Sequence, residues 1–270
     1  MARDQAPFAA HRSSEASPPA RRALVTGGSR GVGAAVSRAL AARGCSVAIH
    51  CRQEVRAASS LAASLPGAGH CIVKGDLAKP DEVSRVVATA IDGLEGIDIL
   101  VNNAGVCIEH SIMDDSFDAW QAVWRRTIDV NLYGLANVTW CVVAHLLARP
   151  EGPTGARIIN VGSRGAYRGE PGAVSYAASK AAVHALTQSL AVALGGQGIS
   201  VSAVAPGFVA TDLAKDVLAG PRGDEIRSQS PFCRVGTPDE IAGAVAWLAS
   251  PEAEWASGAV LDLNGASHVR

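Results

Sequence analysis

The chain has 270 residues, of which 48% are hydrophobic and 18% charged, and its formal net charge is −1. This length allows one large domain or two small ones with a sizeable core. The near-neutral charge offers no basic surface for nucleic acid, and no apolar run reaches the roughly 18 residues that indicate a membrane span. We therefore expect neither nucleic acid nor membrane among its partners.

Residues 1–21 are rich in Ala, Ser, Pro and Arg and show no periodicity, which predicts a disordered arm. The arm has no apolar stretch typical of a secretory signal, and its two acidic residues argue against a transit peptide. The six cysteines are scattered without a C-x-x-C pair, which favours reduced thiols in the cytoplasm. His50-Cys51 and His70-Cys71 lack partners at ligand spacing, so we expect no metal site.

Beyond the arm, short apolar runs alternate with longer helical segments. The strand candidates are ALVTG, SVAIHC, HCIVKG, IDILVNNAG, RIINVGS, ISVSAVAPG and GAVLDLNG. These runs are continuously apolar, as in a parallel sheet covered on both faces. The alternation without a linker predicts one α/β domain that binds ligands beyond the carboxyl ends of its strands.

Helices are predicted over residues 32–43, 81–93, 117–148 and 176–195, and a last helix opens at TPDE. There Thr237 is the expected N-cap, Pro238 lies in the first turn and Glu240 completes a capping box. Residues 120–147 are apolar on more than one face, which indicates either a subunit interface or an ordinary core. We expect a homo-oligomer, a dimer or tetramer.

The first strand leads into TGGSRGVG, residues 26–33, which then opens a helix. Gly27, Gly31 and Gly33 permit a tight turn and a close approach to a pyrophosphate, and the helix start offers its amides to the phosphate charge. Strand, loop and helix arrive in the order that dinucleotide binding requires.

The end of the second strand indicates which dinucleotide is bound. An NAD site usually has a carboxylate there for the ribose 2′-hydroxyl, whereas this chain has Cys51 and Arg52. Arg52 and Arg30 suit a 2′-phosphate, so we expect NADP(H) in preference to NAD(H). Glu54 follows closely and leaves an NAD site open.

Tyr176 and Lys180 stand four residues apart in VSYAASKAAVHAL and therefore share one helix face. An ammonium beside a phenol lowers the phenol pKa, which makes Tyr176 a candidate general acid or base. The alternative is a solvated tyrosine beside a solvated lysine.

Seven motifs, in order from residue 23 to about residue 265, together resemble those of the short-chain dehydrogenases/reductases. They are TGGSRGVG, GDL with Asp76, NNAG, VNLYG with Asn131, INVGS with Ser163, YAASK with Tyr176 and Lys180, and PGFVAT. The resemblance implies one Rossmann-type domain, residues 22–270, with a seven-stranded parallel sheet in the order 3-2-1-4-5-6-7. Within the family, the chain looks most similar to 3-oxoacyl-(acyl-carrier-protein) reductases.

In that family the tyrosine donates a proton to the carbonyl, the lysine lowers the tyrosine pKa and holds the nicotinamide ribose, the serine polarises the carbonyl, and the asparagine anchors a water of the proton relay. The resemblance therefore assigns catalysis to Asn131, Ser163, Tyr176 and Lys180, and substrate contacts to Ser163, Tyr176, Gly207 and Leu213. It assigns cofactor contacts to Gly27, Ser29, Arg30, Gly31, Val32, Gly33, Cys51, Arg52, Asp76, Leu77, Asn103, Ala104, Gly105, Tyr176, Lys180, Pro206, Gly207, Val209 and Thr211.

Two departures from the family pattern and two further features concern the surroundings of the site. Gln197 and Gly198 stand where the carrier-protein reductases tend to have an arginine, and Ala266 replaces a second glycine near the end of the last strand. Residues 213–236 are expected to form a mobile lid over a partly apolar carbonyl. His184 is expected on the helix surface or at an interface.

The function expected from these features is NADP(H)-dependent reduction of a ketone or 3-oxoacyl-like carbonyl to a secondary alcohol. Two alternatives remain: an NAD(P)-dependent alcohol or sugar dehydrogenase working oxidatively, and a non-catalytic NADP(H)-sensing protein. The four candidate catalytic residues argue against the sensor, because a protein without catalysis has no evident need of all four.

Overall fold

The computed structural model describes residues 20–270; the greater part of the predicted arm, residues 1–19, lies outside the described residues. Seven strands form one sheet in the order β3-β2-β1-β4-β5-β6-β7, and every pair in it is parallel. This confirms the expected sheet and its order. The strands are β1 Arg22–Val25, β2 Ser46–Cys51, β3 Cys71–Lys74, β4 Ile99–Asn102, β5 Arg157–Val161, β6 Ser200–Pro206 and β7 Val260–Leu263.

Ten α-helices surround the sheet within the described residues. They are α1 Gly31–Ala42, α2 Val55–Ser64, α3 Pro80–Leu94, α4 Phe117–Ile128, α5 Leu135–Ala148, α6 Gly165–Arg168, α7 Val174–Gly195, α8 Lys215–Ala219, α9 Gly223–Ser228 and α10 Pro238–Leu248. Buried side chains form two clusters: α1 and α10 pack over one sheet face, and α3 and α5 pack over the other. Because both faces are covered, the central strands β4, β5 and β6 are buried along their whole length and mostly apolar.

The predicted helix over residues 117–148 contains an irregular segment. A π-helical turn, Asp129–Gly134, separates α4 from α5. Gly134 packs against the loop between β3 and α3. A Cβ added to Gly134 would stand 2.7 Å from the carbonyl oxygen of Leu77 in that loop. By length and apolar composition alone, Phe117–Ala148 is long enough to cross a membrane, and 44% of its most apolar window is buried inside the protein. Buried core helices of this kind meet the same criterion.

The last helix begins as its sequence predicts. Thr237 Oγ1 accepts from the Glu240 amide, and the Glu240 carboxylate accepts from the Thr237 amide. Near the end of the chain, Ala266 adopts a φ of 57°, a left-handed conformation that favours glycine. Ala266 therefore has the backbone conformation that a glycine at this position would serve.

An ion cluster closes the end of the sheet opposite the carboxyl ends of the strands. Asp98 accepts from the Arg22 side chain at 2.8 Å and from Arg149 at 2.6 Å. Burial opposes ionisation of Asp98, but the hydrogen bonds from Arg22 and Arg149 outweigh it and hold its pKa well below the usual range. Arg21, the last residue of the predicted arm, belongs to this end of the sheet, where its carbonyl accepts from Ser46.

We expect Asp98→Asn to lower the free energy of unfolding at pH 7 by about 2–4 kcal/mol, because two partly buried guanidinium groups lose the nearer of their two carboxylate partners. A carboxylate with a depressed folded pKa contributes stability above its unfolded pKa of about 3.9, and this contribution is lost as the pH falls further. The gap between wild type and variant should therefore narrow below pH 4. Urea unfolding at pH 7 and pH 3.5 measures both values. Asp92→Asn, an exposed substitution on α3, is the control and should change stability by less than about 0.5 kcal/mol.

Candidate active site

The sequence-predicted site residues gather at the carboxyl ends of the central strands. The glycine loop follows β1, residues 103–105 follow β4, Ser163 follows β5, and residues 206–211 end or follow β6. Parallel strands bring all these loops to one edge of the sheet. Tyr176 and Lys180 face this edge from α7.

The glycine loop has the conformation that its sequence predicts. Gly27 and Gly31 have φ values of 61° and 53°. A Cβ on Gly33 would lie 2.2 Å from the Gly27 carbonyl oxygen, so no larger residue fits. Helix α1 then starts without a side-chain cap at Arg30, which leaves its first amides for an anion.

His50, which the sequence offered only as an unlikely metal ligand, supports this loop. Its Nδ1 accepts from the Gly27 amide at 3.0 Å, and its carbonyl accepts from Gly28 at 2.9 Å. With Nδ1 as acceptor, Nε2 carries the proton and donates to the Gly75 carbonyl at 3.0 Å. Burial lowers the pKa of His50, which keeps the imidazole neutral in this role.

Two side chains tie the glycine loop to the segment after β4. Thr26 Oγ1 accepts from the amides of Asn103 and Ala104, at 2.9 and 3.0 Å. The Asn103 side chain donates to the carbonyls of Thr26 and Gly27. A dinucleotide bound at the glycine loop would therefore contact the segment of Asn103 and Ala104, whose position these hydrogen bonds fix.

The residues beside the glycine loop fit the adenosine end of an NADP-type cofactor. Arg30 and Arg52 are exposed, and within the described residues neither side chain forms a hydrogen bond or ion pair. Ser29, Arg30 and Thr211 line an open cleft of about 890 Å³. Free guanidinium groups next to uncapped amides suit a phosphorylated ligand. Cys51 is buried at the end of β2.

Asp76, at the expected adenine position, is paired within the chain. Its carboxylate accepts from the Ala78 amide at 3.1 Å and from Arg126 at 3.2 Å. Burial raises its pKa, but these bonds and the Arg126 charge lower it by more, so the group is ionised. Arg126 carried no signal in the sequence that would have identified it as this partner.

The π-helical turn places Asn131 in the site. The fully buried side chain of Asn131 donates from Nδ2 to the Val106 carbonyl at 2.9 Å and to Ser179 Oγ at 3.0 Å. Its Oδ1 accepts from the Val106 amide at 2.8 Å. A Cβ on Gly105 would meet Asn131 Oδ1 at 3.3 Å and Lys180 Nζ at 3.6 Å. Asn131 therefore joins the post-β4 loop to α7 directly beside Lys180.

The effect of Lys180 on the pKa of Tyr176 stays a prediction, because burial dominates that pKa in this structure. Burial raises the pKa of Tyr176 to about 12, although a hydrogen bond with Ser163 lowers it in part. Lys180 Nζ donates to the Val161 carbonyl at 2.7 Å and lies 5.7 Å from the Tyr176 ring centre. Burial lowers the pKa of Lys180 to about 8. Desolvation of both groups outweighs the attraction that the four-residue spacing indicates.

The expectation that His184 lies on the surface is wrong. His184 is 4% exposed, and its Nε2 accepts a long, 3.4 Å hydrogen bond from the Ser163 amide. A Cβ on Gly162 would stand 2.1 Å from that nitrogen. His184 lies one turn beyond Lys180 on the α7 face that also carries Tyr176. The four-residue spacing indicates this shared face in the sequence, but it does not indicate that His184 is buried.

The substrate side of the site contains residues that no motif identified. Glu170 lies near Ser163, and Cys107 is exposed on the loop after β4. The segment predicted to be a lid, residues 213–236, contains helices α8 and α9 and, beyond them, Phe232, which is 69% exposed. The side chain of Leu213, a predicted substrate contact, lies outside what the structure describes.

Comparison with known proteins places this site in a known family. A family model described as enoyl-(acyl carrier protein) reductase matches residues 27–268. A 3-oxoacyl-[acyl-carrier-protein] reductase of Synechocystis is 38% identical over 249 residues, 91% of this chain and 96% of that protein. An L-rhamnose 1-dehydrogenase (NAD(P)(+)) of Sphingomonas is 34% identical and covers 91% of this chain and 95% of its own.

A solved structure shows the same architecture. A short-chain dehydrogenase of Burkholderia cenocepacia, in complex with NADP, superposes with a TM-score of 0.82 and 34% identity. The match covers 92% of this chain and 98% of the other. The segment matched by the family model, residues 27–268, includes the four candidate catalytic residues.

We expect Gly33→Ala to weaken binding of NADPH by at least about tenfold, because its Cβ collides with the Gly27 carbonyl and forces the loop open. Fluorescence titration of NADPH measures the dissociation constant. Gly243→Ala on α10 is the matched control, since nothing lies within 4 Å of its added Cβ. Unchanged affinity in Gly33→Ala would show that the loop is not the phosphate site.

Proposed function

The chain belongs to the short-chain dehydrogenase/reductase family, oxidoreductases that act on CH–OH or C=O groups with NAD(P), and from this premise we propose that it is an NADP(H)-dependent carbonyl reductase. Its product is a secondary alcohol. The observation that carries the proposal is the convergence of Ser163, Tyr176, Lys180 and Asn131 beside the glycine loop. A ketone or 3-oxoacyl-like group is the proposed substrate.

The proposed chemistry follows from these side chains. When bound, the dinucleotide supplies the hydride. The Tyr176 hydroxyl donates a proton to the carbonyl oxygen as negative charge develops there, and the Ser163 hydroxyl stabilises the same oxygen by a hydrogen bond. Lys180 adds positive charge nearby, since a pKa of about 8 leaves it mostly protonated at pH 7. Asn131 holds the post-β4 loop and α7 in register, and we propose that it also anchors a water of the proton relay, as the resemblance implies.

Burial raises the pKa of Tyr176 to about 12, so the hydroxyl is protonated at neutral pH and can act as the acid of the proposed reduction. The same group acts as the base when the reaction runs in the oxidative direction. The second candidate, oxidative dehydrogenation of an alcohol or sugar, is supported by the similarity to the Sphingomonas L-rhamnose 1-dehydrogenase.

NADP(H) is the proposed cofactor, held by the glycine loop and by the segments after β2, β3, β4 and β6. Arg52 and Arg30 supply the contacts to a 2′-phosphate, and the Burkholderia neighbour was solved with NADP. Glu54 is exposed at the start of α2 and makes no side-chain cap there, so it is the residue that would serve NAD(H).

We also propose that the chain works as a homo-oligomer in the cytoplasm. Trp140 on α5 is 72% exposed and Val192 on α7 is 86% exposed, so two long helices present large apolar groups to solvent. All six cysteines are free, which suits a reducing compartment. The oligomer is a dimer or tetramer.

We expect Tyr176→Phe to lower kcat by about 10²–10⁴-fold, because the phenyl ring has no proton to give. The dissociation constant for NADPH should stay within about twofold. NADPH consumption over a carbonyl panel (an acetoacetyl thioester, a diketone, a ring ketone, a keto ester and a sugar lactone) measures the loss. Tyr133→Phe, on an exposed tyrosine of the π-helical turn, is the control. Near-normal turnover in Tyr176→Phe would contradict the assigned role.

We expect Arg52→Ala to raise the dissociation constant for NADPH by about 5–100-fold, the range of a hydrogen bond to a charged group of roughly 1–3 kcal/mol. Binding of NADH, which lacks the 2′-phosphate, should stay within about twofold. Arg85→Ala removes an exposed arginine of α3 and controls for net charge. Equal losses for the two cofactors would remove the argument for NADP(H).

A further inference from the structure

Glu170 has one weak ionic partner and no hydrogen-bond donor to its carboxylate within residues 20–270. It lies in the loop between α6 and α7, with its side chain 29% exposed, and its carbonyl accepts from Ala173 to form the turn that leads into α7. The partner is Arg164, whose Nη2 is 4.0 Å from Glu170 Oε1. The other terminal nitrogen of Arg164 donates to Ser267, and its guanidinium lies over the Phe208 ring.

The carboxylate of Glu170 stands beside the reacting groups. From a Cβ built on Gly165, Glu170 Oε1 is 3.1 Å away and Ser163 Oγ is 3.3 Å away. The two oxygens therefore flank the same point. The negative charge of Glu170 also contributes to the raised pKa of Tyr176 and of Cys107. Arg164, Arg168, Cys107, Tyr176 and Lys180 are the other titratable groups around this corner of the site.

From this geometry we infer that Glu170 is a specificity-determining residue that selects carbonyl substrates with a hydroxyl group on the carbon next to the reacting one. The inference rests on the proposed function, which places the carbonyl oxygen between Ser163 and Tyr176. A substituent on the adjacent carbon then reaches Glu170, since its carboxylate neighbours Ser163 Oγ. A hydroxyl there satisfies the carboxylate with a charge-assisted hydrogen bond.

An apolar substituent at the same place removes water from the carboxylate and offers it no donor, so that only the 4.0 Å contact with Arg164 remains. Sites that contain a buried polar group discriminate strongly against analogues that lack its partner. The substrate class that fits is therefore a hydroxy ketone or the corresponding vicinal diol. An ammonium group would offer the same hydrogen-bond donors, so the test includes it as a separate case.

Three ketones of equal heavy-atom count separate these cases: 2-butanone, 1-hydroxy-2-propanone and 1-amino-2-propanone. We expect kcat/KM of the wild-type protein with NADPH to be at least tenfold higher for the hydroxy ketone than for 2-butanone. In Glu170→Ala this ratio should fall by about tenfold, with 2-butanone reduction kept within threefold. In Glu170→Gln it should fall by only about threefold, because the amide oxygen still accepts from a hydroxyl. Because the ratio of kcat/KM for the hydroxy ketone to that for 2-butanone is compared between wild type and variant, the intrinsic reactivity of each ketone cancels.

Glu109→Gln is the matched control. Glu109 is exposed on the neighbouring loop and its charge acts on Cys107, but it does not appear among the charges that shift Tyr176. An unchanged ratio in Glu170→Ala, or an equal loss in Glu109→Gln, would overturn the inference while the reductase itself stands. A preference for the amino ketone alone that disappears in Glu170→Gln would overturn the hydroxyl assignment. Reduction of none of the three ketones, nor of the wider carbonyl panel, by the wild type would overturn the proposed function and the inference together.

Discussion

The hydrogen bonds of one buried amide organise this site. Asn131 bonds both backbone groups of Val106 and the hydroxyl of Ser179, and so joins the loop after β4 to the helix that carries Tyr176 and Lys180. It reaches that position because the long α4–α5 segment contains a π-helical turn, a distortion common at functional sites. An uninterrupted α-helix would direct the residue elsewhere, since one inserted residue rotates all that follow. Helix α7 and the loop after β4 are therefore fixed relative to each other.

Burial has opposite consequences at the two ends of the sheet. At the end opposite the site, Asp98 has two arginine partners, and its charge stabilises the fold. At the carboxyl end, Tyr176 and Lys180 are desolvated without a direct bond between them, and both pKa values move toward the neutral forms. The site therefore holds an uncharged acid beside a cation that is easily neutralised, an arrangement suited to proton donation. Paired charges stabilise one end of the sheet, and the desolvated Tyr176 and Lys180 form the candidate reactive group at the other.

Two buried histidines adjoin glycines in the site. His50 bonds the glycine loop, and His184 fills the space beside Gly162 and contacts the Ser163 amide. At Gly162, the imidazole of His184 occupies volume that a Cβ at the glycine would take. Glycine motifs are visible in a sequence because they recur at fixed spacing, whereas their histidine partners lie 23 and 22 positions away, with no spacing rule to connect them. No spacing rule in the sequence connects Glu170 with Ser163 either: the two approach each other only because the loop before α7 folds back.

The sequence by itself determined the parallel sheet, the dinucleotide loop, the capping box of the last helix and the four residues of the candidate catalytic group. Most of these depend on local patterns: continuous apolar runs, glycines at fixed intervals, and spacing along one helix face. Asn131 and Ser163 were indicated only by the resemblance of their motifs to those of the family. Tertiary structure alone decided the π-helical turn at Asn131, the burial of His184, the position of Glu170 and the direction of the Tyr176 pKa shift. These depend on desolvation and on contacts between segments far apart in the chain. A spacing of four residues shows that two side chains are neighbours, but only the packed structure shows how much water remains around them.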